Sequence, residues 1–238
     1  MEERVFDRIE KKYLISDDQK KAILETIQKY LQTDSYHKSE IYNIYFDTDN
    51  FDLIIQSVDR PVFKEKLRAR SYGGYDRVFL EIKTKIKSKD NNVGYKRRVM
   101  ITRGDYKKLV NKKTTLVDLA AKSIESASDL QIAKEIDYLI SHFDLKPKIL
   151  VMYNRESYKN SEGLRVTFDE NLKFRTENLS FNQGKRDKIY FKEQPKIIME
   201  IKAHGVMPLW LVQKMSELKI YPQQFSKIGK IYERSKNV

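Results

Sequence analysis

Across residues 62–72, four cations, Lys64, Lys66, Arg68 and Arg70, occupy every second position. A β-strand places such a set on one face, because alternate side chains point to opposite sides, whereas a helix would scatter it around its circumference. The same period recurs along the chain. In 77–86, Arg77, Phe79, Glu81, Lys83 and Lys85 alternate with Val78, Leu80, Ile82 and Ile86. In 93–101, Lys96 and Arg98 share a parity. In 163–169, Arg165, Thr167 and Asp169 oppose Leu164, Val166 and Phe168, and in 196–203, Glu200 and Lys202 oppose Ile197, Met199 and Ile201. Residues 4–14 put Arg8, Glu10 and Lys12 together. The pattern predicts strands near 4–14, 39–47, 62–72, 77–86, 93–101, 148–158, 163–169, 172–176 and 196–203.

Helices are predicted between them. Ser16 caps a segment with Ala22, Ile23, Ile27, Tyr30 and Leu31 at helical spacing. Thr102 caps a shorter one, residues 129–143 carry Leu130, Ala133, Ile136, Ile140 and Phe143 on one stripe, and a last helix follows Pro208. No Pro/Gly-rich linker divides the 238 residues, so the expectation is one α+β domain over 1–238, its mostly antiparallel strands flanked by helices. Val78-Phe79-Leu80-Glu81-Ile82-Lys83 and Ile197-Ile198-Met199-Glu200-Ile201-Lys202 echo each other, as equivalent strands of a pseudo-symmetric barrel would. Gly73-Gly74 reads as a hairpin turn.

Lys and Arg number 47 against 34 Asp and Glu, a formal net charge of +13. The absence of cysteine excludes disulfides, zinc–thiolate sites and thiol catalysis, and three histidines are too few for a His-rich metal cluster. The first twenty residues are charged throughout, unlike a secretory signal, and no apolar run approaches the ~20 residues that span a bilayer. A cytoplasmic protein with an anionic partner is expected.

The cationic parity has two readings. One is the solvated face of a sheet packed on its other side. The other is a lining, since like charges on neighbouring strands repel unless an anion lies among them, and arginine suits phosphate through bidentate hydrogen bonds. If the sheet closes, about eight strands leave room for one slender ligand. Among these cations Glu10, Glu81 and Glu200 are the acids placed to hold a divalent cation with phosphate oxygens, the usual setting of Mg²⁺ or Mn²⁺. There is no Gly-x-x-x-x-Gly-Lys-Ser/Thr loop, no Gly-x-Gly-x-x-Gly and no kinase signature, so phosphate binding must come from side chains on strands.

The ordered motifs Ile9-Glu10-Lys11-Lys12-Tyr13, Tyr45-Phe46-Asp47-Thr48, Leu67-Arg68-Ala69-Arg70 and Leu80-Glu81-Ile82-Lys83 resemble those of the triphosphate tunnel metalloenzymes. Tyr95-Lys96-Arg97-Arg98, Tyr153-Asn154-Arg155, Leu164-Arg165-Val166-Thr167-Phe168-Asp169, Met199-Glu200-Ile201-Lys202 and Phe225-Ser226-Lys227 bring the resemblance to the VTC-type polyphosphate polymerase domain, from about Val5 to Tyr232. The resemblance implies a closed antiparallel β-barrel, a tunnel lined by basic residues. In it a divalent metal, Mn²⁺ or Mg²⁺, helps pass the γ-phosphoryl group of ATP to a growing polyphosphate chain. By motif, Lys12, Arg68, Arg70, Lys83, Arg155 and Arg165 are the catalytic phosphate-binding set, joined by Lys96, Arg98, Lys202 and Lys227. Glu200 is the principal metal ligand implied, with Glu10 and Glu81 as weaker candidates.

Two alternatives stay open: a triphosphatase or tripolyphosphatase in the same tunnel, and a non-catalytic nucleic-acid or polyanion binder, of which nucleic acid is the less favoured. Eukaryotic relatives join this domain to an inositol-phosphate-sensing region and membrane spans. This sequence shows neither, so membrane coupling is not carried over from the resemblance, and a separate membrane partner stays open. Residues 103–147 carry none of the motifs and are assigned to packing.

Overall fold

The two-residue period becomes a sheet. The structure, a computed structural model, describes residues 8–59, 62–73, 75–87, 92–123, 126–184, 187–191 and 196–235. The strands among them are β1 (Arg8–Ile15), β2 (Gln32–Asp47), β3 (Phe63–Tyr72), β4 (Val78–Lys87), β5 (Asn92–Ile101), β6 (Lys146–Lys159), β7 (Arg165–Arg175), β8 (Lys188–Ile189) and β9 (Ile197–His204). The helices are α1 (Asp17–Ile27), α2 (Asp52–Val58), α3 (Arg103–Val110), α4 (Leu116–Ser123), α5 (Ala127–His142), α6 (Leu209–Glu217) and α7 (Lys227–Ser235). The α+β class holds. The hydrogen-bonded order is β1-β9-β7-β6-β2-β3-β4-β5, with β8 beside β7.

The closed barrel expected from the resemblance is corrected. Among the described residues the path ends at β1 and at β5, each with a single partner strand. Side-chain parity is local, whereas closure depends on tilt and stagger summed over all strands, which parity does not encode.

Within the span read as one domain, the chain packs as two compact units. The first is Met1–Glu40, Tyr153–Lys173 and Ile189–Ser226; the second is Ile41–Met152, Phe174–Lys188 and Lys227–Val238. Strands β2, β6, β7 and β8 contribute residues to both. In the first unit the apolar parity of β1, β7 and β9 (Tyr13, Ile15, Val166, Phe168, Met199, Ile201) packs with Ile23 and Ile27 of α1 and Leu211 and Met215 of α6. In the second, Ile44, Leu67, Leu80, Ile82 and Val99 pack with Tyr106, Leu116, Ala133, Ile136 and Leu139 from α3, α4 and α5. Residues 103–147 thus supply most of the helical half of that core.

The predicted caps are present. Ser16 and Gln19 form a reciprocal capping box on α1, Gln19 N–H donating to Ser16 Oγ at 3.2 Å and Ser16 N–H to Gln19 Oε1 at 2.9 Å. Thr102 caps α3 through Asp105 N–H at 3.0 Å. Three helices escaped prediction, and in two of them an aspartate outside the usual N-cap position binds the first N–H groups. Asp47, at the end of β2, accepts from Leu53 and Ile54 N–H of α2 at 2.9 Å each. Asp137 of α5 accepts from Leu116 and Val117 N–H of α4 at 2.9 and 2.8 Å. The two strands predicted at 163–169 and 172–176 are one, β7, with Asn171 at φ 53 as its joint; asparagine tolerates this left-handed conformation. Strand β2 starts seven residues earlier than the predicted 39, in a polar stretch without alternation. Residues 4–7 and Gly74 lie outside the described residues. No helix among the described residues is long and apolar enough to cross a membrane.

Candidate functional site

Strands β3, β4 and β5 of the second unit pair antiparallel, with Lys64 opposite Lys85, Lys66 opposite Lys83 and Arg68 opposite Glu81. Lys83 then faces Lys96, and Glu81 faces Arg98. Among the described residues one parity therefore carries nine cations (Lys64, Lys66, Arg68, Arg70, Lys83, Lys85, Lys87, Lys96, Arg98) and a single acid, Glu81. The other parity carries the core residues Leu67, Ala69, Leu80, Ile82 and Val99, which fix the cations' direction.

Glu81 is the hub of this face and is 1% exposed. Arg68 donates to its Oε2 from Nε at 2.8 Å and approaches the same oxygen with Nη2 at 2.7 Å. Lys96 Nζ lies 2.7 Å from Oε1, and Arg70 Nε lies 3.9 Å from Oε2. Burial alone would raise this carboxyl, but the charges of Arg68, Arg70 and Lys96 outweigh it and hold the pKa at about 2. The acid is ionised throughout the physiological range, yet it cancels only one of the charges around it.

Strand β2 adds two residues to which the sequence reading assigned no role in the site. Asn43 stands opposite Arg70 and Tyr45 opposite Arg68. Arg70 Nε donates to Asn43 Oδ1 at 2.8 Å, and Arg68 Nη1 to the Tyr45 hydroxyl at 3.4 Å. Burial raises the Tyr45 phenol, but Arg68, Lys66 and Arg70 overcome it and bring the pKa down to about 8. The available signal was parity: Asn43 and Tyr45 alternate with the core residues Ile44 and Phe46. Arg98 lies over the Phe79 ring, 4.7 Å from its centroid. Lys227 opens α7, apart from these strands in sequence.

In the first unit, β1, β9 and β7 align Glu10 with Lys202 and Arg165, and Lys12 with Glu200 and Thr167. Charges here are matched. Arg155 Nε and Nη2 donate to Asp169 Oδ1 and Oδ2 at 2.5 and 2.7 Å, and burial, which works against the Arg155 charge, is outweighed chiefly by Asp169. Arg165 donates from Nε to Ser157 Oγ at 3.0 Å and pairs through Nη2 with Asp34 at 3.0 Å. Lys12 Nζ donates to the Phe225 carbonyl at 3.2 Å. Asp169 and Asp34, as partners of Arg155 and Arg165, were not predicted; Asp34 lies in the polar start of β2, which carries no alternation.

The predicted metal ligands divide. Among the described residues no group of three or more Asp, Glu or His gathers to hold a metal by itself. Glu200 and Glu10 both approach the Lys202 ammonium, at 3.0 and 3.6 Å, so two carboxylates already converge on one positive charge. Two hard oxygen donors, completed by phosphate oxygens, suit Mg²⁺ or Mn²⁺. Glu81, set among three cations, does not suit a metal.

Comparison with known proteins follows this geometry. The VTC domain profile matches residues 7–234. The chain belongs to the VTC domain family. A relative, vacuolar transporter chaperone complex subunit 4 of Schizosaccharomyces pombe, is 27% identical over 146 residues. That match takes in 56% of this chain and 20% of the relative, so the VTC domain chain spans a small part of that protein's length. Among solved structures, the putative adenylyl cyclase HpAC1 from Hippeastrum, described as having a dominant triphosphatase activity, superposes with a TM-score of 0.55 at 17% identity, covering 93% of each chain. This is a likeness of fold. The PH1819 protein of Pyrococcus horikoshii OT3 covers 96% of this chain and 99% of its own at a TM-score of 0.46 and 16% identity.

Proposed function

We propose that this VTC domain is a polyphosphate polymerase that transfers the γ-phosphoryl group of ATP to the end of an inorganic polyphosphate chain. The observation that carries the reading is the nine-to-one face of β3, β4 and β5. A face on which cations so outnumber acids suits a ligand of several negative charges, and ATP and polyphosphate are such ligands. Membership of the VTC domain family supports the same substrate class.

Phosphoryl transfer needs positioning and neutralisation of charge more than covalent help from the protein. Arg68 and Arg70, held by Glu81 and Asn43, are suited to grip phosphate oxygens, with Lys83, Lys96 and Arg98 spreading the positive potential along the chain. A terminal oxygen of the acceptor polyphosphate, anionic at neutral pH, forms the new P–O bond to the γ-phosphorus while the β–γ bridging P–O bond breaks and ADP leaves. No side chain need act as general base. Lys12, Arg155, Arg165 and Lys202 are further phosphate-binding candidates in the first unit, and Lys227 in the second. Glu200 and Glu10 would hold Mn²⁺ or Mg²⁺, whose chemistry is to neutralise phosphate oxygens during transfer. The relative named as a subunit of a complex supports a separate partner chain, membrane-borne in this proposal, with the domain itself in the cytoplasm.

Incubation with ATP and Mn²⁺, followed by gel analysis, tests the reading. Long polyphosphate is the expected product, and Arg68→Ala or Arg165→Ala should abolish it while leaving the fold intact. Release of free phosphate without polymer would make the protein a triphosphatase instead. No turnover, with salt-sensitive binding to duplex DNA, would replace both enzymes by a polyanion binder.

A further inference from the structure

Asn43 is 1% exposed and makes two hydrogen bonds of opposite sense. Its Nδ2 donates to the Val151 carbonyl at 3.4 Å, and its Oδ1 accepts from Arg70 Nε at 2.8 Å. The Val151 carbonyl accepts only from the amide nitrogen, so the carbonyl end of the side chain is the end turned to the arginine. The two residues also stand directly opposite in the β2–β3 register, which fixes the bond from both backbones.

The consequence falls on the other end of the guanidinium. Arg70 is 9% exposed. Its Nε is engaged by Asn43, while Nη1 and Nη2 donate to no acceptor among the described residues and are not among the side-chain atoms sealed from solvent. The remaining nearby anion, Glu81, is 3.9 Å from Nε and already bonded by Arg68. Arg70 is thus a planar fork gripped at its stem with its two prongs open. A guanidinium so held loses little further freedom on binding and can bond two oxygens of one phosphate at once, which a lysine ammonium cannot do.

We infer that Asn43 is a positioning residue that orients Arg70 for two-pronged capture of a phosphate group in the substrate chain. The inference rests on the phosphate-binding reading above. It adds that geometry, and not only charge, sets how strongly this arginine contributes.

The test is tripolyphosphate binding to the full chain by titration calorimetry, with Asn43→Ala, Arg70→Ala, their double variant and Arg70→Lys, each checked for a cooperative melt. Asn43→Ala should weaken binding about tenfold, the scale of one charge-assisted hydrogen bond. In the Arg70→Ala background the same change should have no further effect. Equal, additive losses in both backgrounds would overturn the inference, since they would show that Asn43 acts without Arg70. Arg70→Lys keeps the charge without the fork and should lose as much affinity as Arg70→Ala; wild-type affinity in that variant would also overturn it, even if Asn43→Ala fails to fold. The ¹⁵N–H resonance of Arg70 Nε, sheltered by Asn43, should shift on adding tripolyphosphate to wild type and broaden in Asn43→Ala. No binding of tripolyphosphate by wild type would overturn this inference together with the proposed function. Binding with a non-additive cycle but no polymer from ATP would uphold it and sink the polymerase reading alone.

Discussion

Glu81 shows what a single residue does when an excess of charge is organised around it. Replacing it by glutamine leaves Arg68, Arg70 and Lys96 repelling one another without their buried counter-charge, and Glu81→Gln should cost about 3 kcal/mol in urea unfolding at neutral pH. Its pKa in the folded chain lies at about 2, below the ordinary 4.5, so its stabilising contribution is complete above 4.5 and drains away as pH falls towards 2. Stability measured over that range should fall in wild type and be flatter in Glu81→Gln. Tyr45 titrates in the opposite part of the scale. One phenol among the fifteen tyrosines should ionise at about 8 in a near-ultraviolet absorbance titration, and that step should vanish in Tyr45→Phe. If the low step persists in Tyr45→Phe, the cations do not act on this phenol as described.

At the scale of elements, the sequence echo marks strands in matching places. Strand β4 lies between β3 and β5, β9 lies between β1 and β7, and each is second from an end of the hydrogen-bonded path. Their glutamates nevertheless have different company. Glu81 is surrounded by cations, whereas Glu200 shares Lys202 with a second acid, Glu10. Glu200→Gln should therefore raise the Mn²⁺ concentration needed for half-maximal turnover by about tenfold or more while sparing stability, the reverse of Glu81→Gln. Equal metal dependence in wild type and Glu200→Gln would remove Glu200 from the metal site. This contrast also marks how far the sequence could be read. Parity put Arg68, Glu81 and Lys96 on one face, and Ser16 and Thr102 announced their helices. Asp47 caps α2 from only five residues upstream, beyond the usual N-cap spacing, whereas Asp137 reaches the start of α4 through tertiary folding. Asn43 and Tyr45 were invisible as partners because register between β2 and β3 is a property of two strands together. Closure failed as a prediction for the same reason on a larger scale.

For the whole molecule, the net charge of +13 is a property of location more than of amount. The second unit gathers its strand cations on a face with a single acid, while the first pairs Arg155, Arg165 and Lys202 with Asp169, Asp34 and Glu200. Tripolyphosphate should accordingly raise the melting temperature at low salt, because it binds the folded face and relieves repulsion there, and the rise should shrink as ionic strength increases. A rise unaffected by salt would argue against the cationic face as the binding site. The strand order also sets a timetable for folding. The first described strand, β1, finds its partner among the described residues in β9, with Tyr13 opposite Met199, so it emerges from the ribosome long before that ladder can form. Until then its apolar side chains lack their strand partner, and neither unit can be made as one continuous fragment, since each draws on three separate segments. A strand synthesised so far ahead of its partner is secured late, and truncation from the C-terminal side, before β9, should leave it a site of aggregation.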